Sequence, residues 1–75
     1  MKELVEVLAK SLVDSPNDVF VREKEEDGTI ILELSVNKED MGKVIGKQGR
    51  IAKAIRTVVK AAAIKEGKKV VVEII

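Results

Sequence analysis

The chain contains no cysteine and no histidine, a single aromatic residue, Phe20, and a single proline, Pro16. Without cysteine there is no disulfide, no thiolate nucleophile and no sulfur ligand; without histidine the commonest general base and metal ligand is missing. Catalysis, a zinc site and a bound cofactor are therefore not expected, and no residue constellation suggests a small-molecule substrate. One phenylalanine, with neither tyrosine nor tryptophan, excludes the aromatic platforms on which many single-strand binders stack bases. No apolar run approaches the roughly 18 residues needed to cross a bilayer, and Met1-Lys2-Glu3 leads straight into an amphipathic pattern. A cytoplasmic protein with no membrane segment is the expectation.

What is present fits one small domain, residues 1–75. The 45% apolar residues are mostly Val, Ile, Leu and Ala, and 36% are charged. A chain of this size buries roughly 60% of its extended-chain surface on folding, enough for a thin core. No repeat, low-complexity tract or linker interrupts it. The net charge of +1 conceals an uneven distribution. Residues 1–37 carry four basic residues against nine acids, whereas residues 38–60 carry seven (Lys38, Lys43, Lys47, Arg50, Lys53, Arg56, Lys60) against two. Such an imbalance is the electrostatic footprint of an anionic partner.

Leu4, Val5, Leu8, Leu12 and Val13 recur at helical spacing and predict a helix over about 2–13, ended by Ser15-Pro16-Asn17. Residues 18–25 are charged toward their far end and read as an edge strand. Asp27-Gly28 is a hairpin turn, both residues tolerating the positive φ it requires. Over about 29–36, Ile30, Leu32, Leu34 and Val36 alternate with Ile31, Glu33 and Ser35, so one face is core and the other mostly solvated. Asn37 caps a short helix over about 38–45, with Asp40 at the capping-box position. Ile51, Ala54, Ile55, Val58, Val59 and Ala62 form the stripe of a further helix, 50–64, ended by Gly67. Val70, Val72 and Ile74 point inward from a last strand over about 69–75. The order αββααβ predicts an α+β fold: a three-stranded mixed sheet, its second and third strands parallel, covered on one face by three helices.

Between the last two helices lies Val44-Ile45-Gly46-Lys47-Gln48-Gly49-Arg50. Two glycines bracketing two polar residues suit a tight turn at a helix N-terminus, where positive φ is available, a ligand can approach the backbone, and N–H groups beside Lys47 and Arg50 face phosphate. Gly-x-x-Gly by itself is also a plain connection. Gly42-x-x-x-Gly46-Lys47 is not a nucleotide P-loop, lacking its spacing, its Ser or Thr and its preceding strand. The acids Glu23, Glu25, Glu26 and Asp27 are accounted for by edge protection and solubility.

With the run Asp40-Met-Gly-Lys-Val-Ile-Gly-Lys-Gln-Gly-Arg-Ile-Ala-Lys-Ala-Ile-Arg-Thr inside an αββααβ chain, the sequence resembles a KH domain of the bacterial, type II topology over its whole length, nearest to small stand-alone proteins of the KhpA-like kind. The resemblance implies an RNA-binding module, a chaperone or post-transcriptional regulator, that holds about four nucleotides of single-stranded RNA, or less often DNA. Gly46, Lys47, Gln48 and Gly49 would clamp the backbone, Ile45 would floor the apolar part of the groove, and Lys43, Arg50 and Lys53 would flank it. Many KH domains carry a large aliphatic three residues after the second glycine; here that position is Ala52, with the bulk at Ile51. The family likeness further implies self-pairing or pairing with a larger KH-containing protein.

Other readings stand beside this one. Ile45 and Ile51 can equally be core residues, and Lys53, Arg56 and Lys60 an ordinary solvated helix face. The alanine-rich helix (Ala52, Ala54, Ala61, Ala62, Ala63) suits a protein-interaction or dimerisation surface. Two helices about a short turn also suggest duplex DNA binding, against which the two glycines and the short first helix weigh.

Overall fold

In a computed structural model, which describes residues 1–75 apart from the side chain of Lys47, the elements follow the sequence in the order α1 (Lys2–Leu12), a 3-10 turn (Pro16–Asp18), β1 (Phe20–Glu26), β2 (Thr29–Ser35), α2 (Lys38–Lys65) and β3 (Lys69–Ile74). The fold is α+β, as expected. The first strand begins two residues later than the expected 18, because Pro16 presets the turn that occupies 16–18.

Asp27 and Gly28 form a two-residue hairpin, both at positive φ (49° and 78°), which matches the right-handed twist of the strands they join. β1 therefore runs antiparallel to β2, with Val21 opposite Leu34 and Arg22 opposite Glu33. β3 returns through α2 and lies parallel to β2 on its other side, with Leu32 opposite Val72. The order β1-β2-β3 leaves β3 at an edge.

Alternation in β2 buries Leu32 and Leu34 completely, with Val36 close behind. Val21, Val72 and, half-buried, Ile30 and Ile74 extend that face. Against it pack Val5 and Ala9 of α1 and Val44, Ala52, Ile55 and Val59 of α2. The helical stripes thus bury the same sheet face. The opposite face carries Glu33 between Arg22 and Lys24, at 4.0 and 3.6 Å.

Asn37 caps α2 by accepting the N–H of Glu39 at 2.8 Å. Asp40 does not complete a capping box. Its buried carboxylate instead accepts the N–H groups of Asp14 (3.2 Å) and Ser15 (3.0 Å), fastening the end of α1 to the start of α2. At the other end Gly67 (φ 67°) closes a Schellman motif: Lys68 N–H donates to Ala63 O at 2.8 Å and Gly67 N–H to Ile64 O at 3.1 Å.

The two expected helices, 38–45 and 50–64, form one helical stretch of 28 residues. Straight, it would measure about 42 Å at 1.5 Å per residue, yet the molecule's longest dimension is 34 Å. The change of direction sits at Gln48 (φ 64°) and Gly49 (φ 67°), consecutive left-handed residues that a right-handed helix cannot absorb. They divide α2 into a first arm, 38–47, and a second arm, 50–65.

Candidate nucleic-acid interface

The break in α2 was expected to rest on positive φ at both glycines. Instead Gln48 and Gly49 take the left-handed conformation, and Gly46 remains right-handed. Gln48, a residue with a Cβ, is held there at a local cost of about 1–2 kcal/mol, so the surrounding arms must enforce the bend. A Cβ built on Gly46 would meet nothing within 4 Å. Neither its torsion nor its packing therefore requires glycine at 46, and open approach to the backbone is the property that glycine leaves there.

Beyond the bend, Lys53, Arg56 and Lys60 follow at intervals of three and four, which places them on one face of the second arm. With Gln48, Gly49 and Thr57 they surround an open depression of about 330 Å³. The Thr57 hydroxyl donates to Lys53 O at 2.8 Å, so its methyl group and not its O–H proton is left for a ligand. No carboxylate lies within 4.0 Å of Lys53, Arg56 or Lys60 among the described residues; the ion pairs found involve Arg22, Lys24, Lys43 and Lys68. Three cations without counter-ions on one face raise the local positive potential.

Past Arg56 the depression continues into a second groove of about 350 Å³ between the second arm and the edge strand β3. Ile64, Val70 and Val71 make the accessible part of its apolar wall, over the buried Val59, Ala63 and Val72, and Lys60, Lys68 and Lys69 stand at its rim. Arg56 lines both parts, and its Nε–H donates to Val72 O across the groove at 3.4 Å.

The expected site residues are therefore brought together only in part. Gln48, Gly49 and Lys53 share the first depression. Arg50 is exposed beside it, and Gly46 is half-buried at the bend. Ile45 is 55% exposed on the first arm and is not among the described residues lining either groove. Lys43 points back to the segment that follows α1, its Nζ 3.2 Å from Asp14 Oδ1. The side chain of Lys47 lies outside the described residues. Ile51 packs against the core, and Ala52 is buried within it.

Arg56, Lys60, Lys68, Lys69 and the β3 wall were not among the expected site residues. The signal for the first two was present in the cation spacing. The wall required recognising that a right-handed crossover leaves β3 at the edge, beside the second arm.

Comparison with known proteins identifies the family. The family profile described as KhpA/KhpB, KH domain matches residues 2–74. Over 75 residues, the full length of both chains, the sequence is 79% identical to the RNA-binding protein KhpA of Clostridium perfringens. It is 51% identical to the RNA-binding protein KhpA of Aquifex aeolicus, covering all of this chain and 95% of that one. Among solved structures, Aquifex aeolicus Era bound to GDP·AlF4− superposes with a TM-score of 0.68 at 22% identity, over 97% of this chain and 28% of that one. Era in complex with MgGDPNP and nucleotides 1506–1542 of 16S ribosomal RNA superposes at 0.61 and 23% identity, over the same shares. At these identities the likeness to Era concerns the fold.

Proposed function

The chain belongs to the KH-domain family of KhpA and KhpB, and from that premise we propose that it binds single-stranded RNA along the groove that starts at the bend of α2. It is a binding module and not an enzyme. Gly46, Lys47, Gln48 and Gly49 hold the sugar–phosphate backbone. The amides at the start of the second arm and the cations Arg50 and Lys53 meet phosphate, while the bases lie toward β3. The observation that carries this reading is the left-handed pair at Gln48 and Gly49, which bends α2 where the face bearing Lys53, Arg56 and Lys60 begins.

The relatives named RNA-binding protein KhpA support RNA as the ligand. A groove without aromatic stacking makes each base contact weak, so the protein serves as a low-affinity RNA chaperone or regulator. One titration series separates the ligand classes. Binding to single-stranded RNA should exceed binding to single-stranded DNA and to duplex DNA of the same length; equal or stronger duplex binding would reverse the assignment.

A second reading concerns a different face of the second arm. Ala52 and Ala63 are core residues and unavailable to a partner, but Ala54, Val58 and Ala61 form an exposed strip away from the cations. That strip supports self-association or pairing with another KH protein, which would raise avidity by presenting two grooves. Sedimentation as a monomer at about 100 µM would eliminate the homodimer.

A further inference from the structure

Arg56 and Lys60 both line the junction of the two groove segments, and Arg56 is hydrogen-bonded to the sheet edge there. Arg56 spends its Nε–H on the Val72 carbonyl, an acceptor on the open edge of β3, and lines the groove on both sides of that contact. A guanidinium carries five N–H donors and no acceptor. With Nε engaged, the paired Nη groups remain at the outer end of the fork. They have no carboxylate partner within 4.0 Å among the described residues. Lys53 and Lys60, which share this helix face, are point charges that suit phosphate in any orientation.

We propose that Arg56 selects the base in this groove, favouring guanine and cytosine over adenine and uracil. This rests on the reading of the groove as the RNA site and adds to it a rule of base choice. A donor-only fork is fully matched only by two adjacent acceptors. Guanine offers O6 and N7, and cytosine offers O2 and N3. Adenine sets its N6 amino donor beside both N1 and N7, and uracil places N3–H between its two carbonyls, so either leaves a fork donor unmatched. The Val72 contact orients the guanidinium toward the sheet edge without locking its plane. At 3.4 Å it is a long hydrogen bond, able to adjust as a base enters. The valine-lined wall accepts the flat faces of either base size without discriminating between them.

The test uses five-nucleotide RNAs of sequence UUXUU, with X as G, C, A or U, against the parent, Arg56→Met, Arg56→Lys and Gln48→Asp. The parent is expected to bind X = G and X = C about tenfold more tightly than A or U, a modest value for a bidentate base contact. Replacing guanine by 7-deazaguanine, which removes N7 alone, should bring its affinity down to that of uracil. Arg56→Met and Arg56→Lys should both flatten the ranking, the lysine variant because it keeps the charge but lacks the fork. Gln48→Asp should weaken all four RNAs alike and preserve their order.

A parent that ranks the four bases equally, or an Arg56→Lys variant that keeps the parent's ranking, overturns the proposal. Loss of ranking in the Arg56 variants with no effect of Gln48→Asp would instead retain base selection by Arg56 and remove the loop clamp. Helical circular dichroism of each variant, matched to the parent, confirms that folding is unchanged.

Discussion

Replacing Gly46 by alanine separates what the bend needs for folding from what it needs for a ligand. Gly46 lies in the first arm of α2 with right-handed torsions, and a Cβ placed there meets no atom within 4 Å. On the protein alone the substitution is therefore favourable. Alanine in a helix interior is more stable than glycine by about 0.5–1 kcal/mol, because the unfolded chain has less freedom to lose. For a domain of this size, each kcal/mol moves the melting midpoint by about 4–8 °C, so Gly46→Ala should melt about 2–8 °C higher. If the sugar–phosphate backbone rests on residues 46–49, the same methyl group occupies the surface it touches, and RNA affinity should fall about tenfold. Thermal melting by circular dichroism and fluorescence anisotropy with a short single-stranded RNA measure the two effects independently. A variant that is more stable and binds RNA as the parent does would refute the placement of RNA at this glycine. A variant that melts lower would refute the open surroundings assigned to residue 46.

The remaining predictions concern the core, the fastening of the helices and the character of binding. Leu34→Ala removes a fully buried side chain from the central strand and should cost about 2–5 kcal/mol, a large share of a small domain's stability; an unchanged urea midpoint would contradict the inward face of β2. Asp40→Ala leaves the N–H groups of Asp14 and Ser15 without their acceptor and should cost about 1–3 kcal/mol, with Asp40→Asn milder because one acceptor remains; equal losses for the two would contradict acceptance by the side chain as the cause. RNA affinity should fall with salt at a log–log slope of about −1.4 to −2.8, from two to four phosphate contacts at roughly 0.7 each. A slope steeper than about −5 would assign binding to an extended electrostatic track.

Features set by neighbours in the chain were readable in advance. Asp27-Gly28 announced its hairpin, Asn37 its cap, and the period-two pattern of β2 its buried face, because each depends on residues within a few positions of one another. Contacts between distant segments were not. Asp40 looks like a capping residue locally, but its acceptors' partners are 25 and 26 residues earlier, and the same fold brings Asp14 to Lys43, 29 residues away. Counting lysines made Lys43 equivalent to Lys53, whereas tertiary structure pairs Lys43 with Asp14 and leaves Lys53 on the groove. The glycine pattern located the bend correctly but assigned the strain to the wrong residue. Glycine usually carries positive φ, and only the geometry of the two arms transfers it from Gly46 to Gln48. Val70 and Val72 were legible as inward-facing, while their second role as groove wall follows from the edge position of β3.

The most direct measurement is RNA binding by the double variant Lys47→Asp, Gln48→Asp. Asp tolerates the left-handed torsion found at 48, and Gln48 is exposed, so stability should change by no more than about 0.5 kcal/mol. Two carboxylates between the glycines would repel phosphate at close range. The double variant is expected to keep the parental circular dichroism spectrum and melting midpoint while its RNA affinity falls at least about tenfold. A folded double variant that binds single-stranded RNA as tightly as the parent would show that residues 46–49 only turn the helix and do not hold RNA.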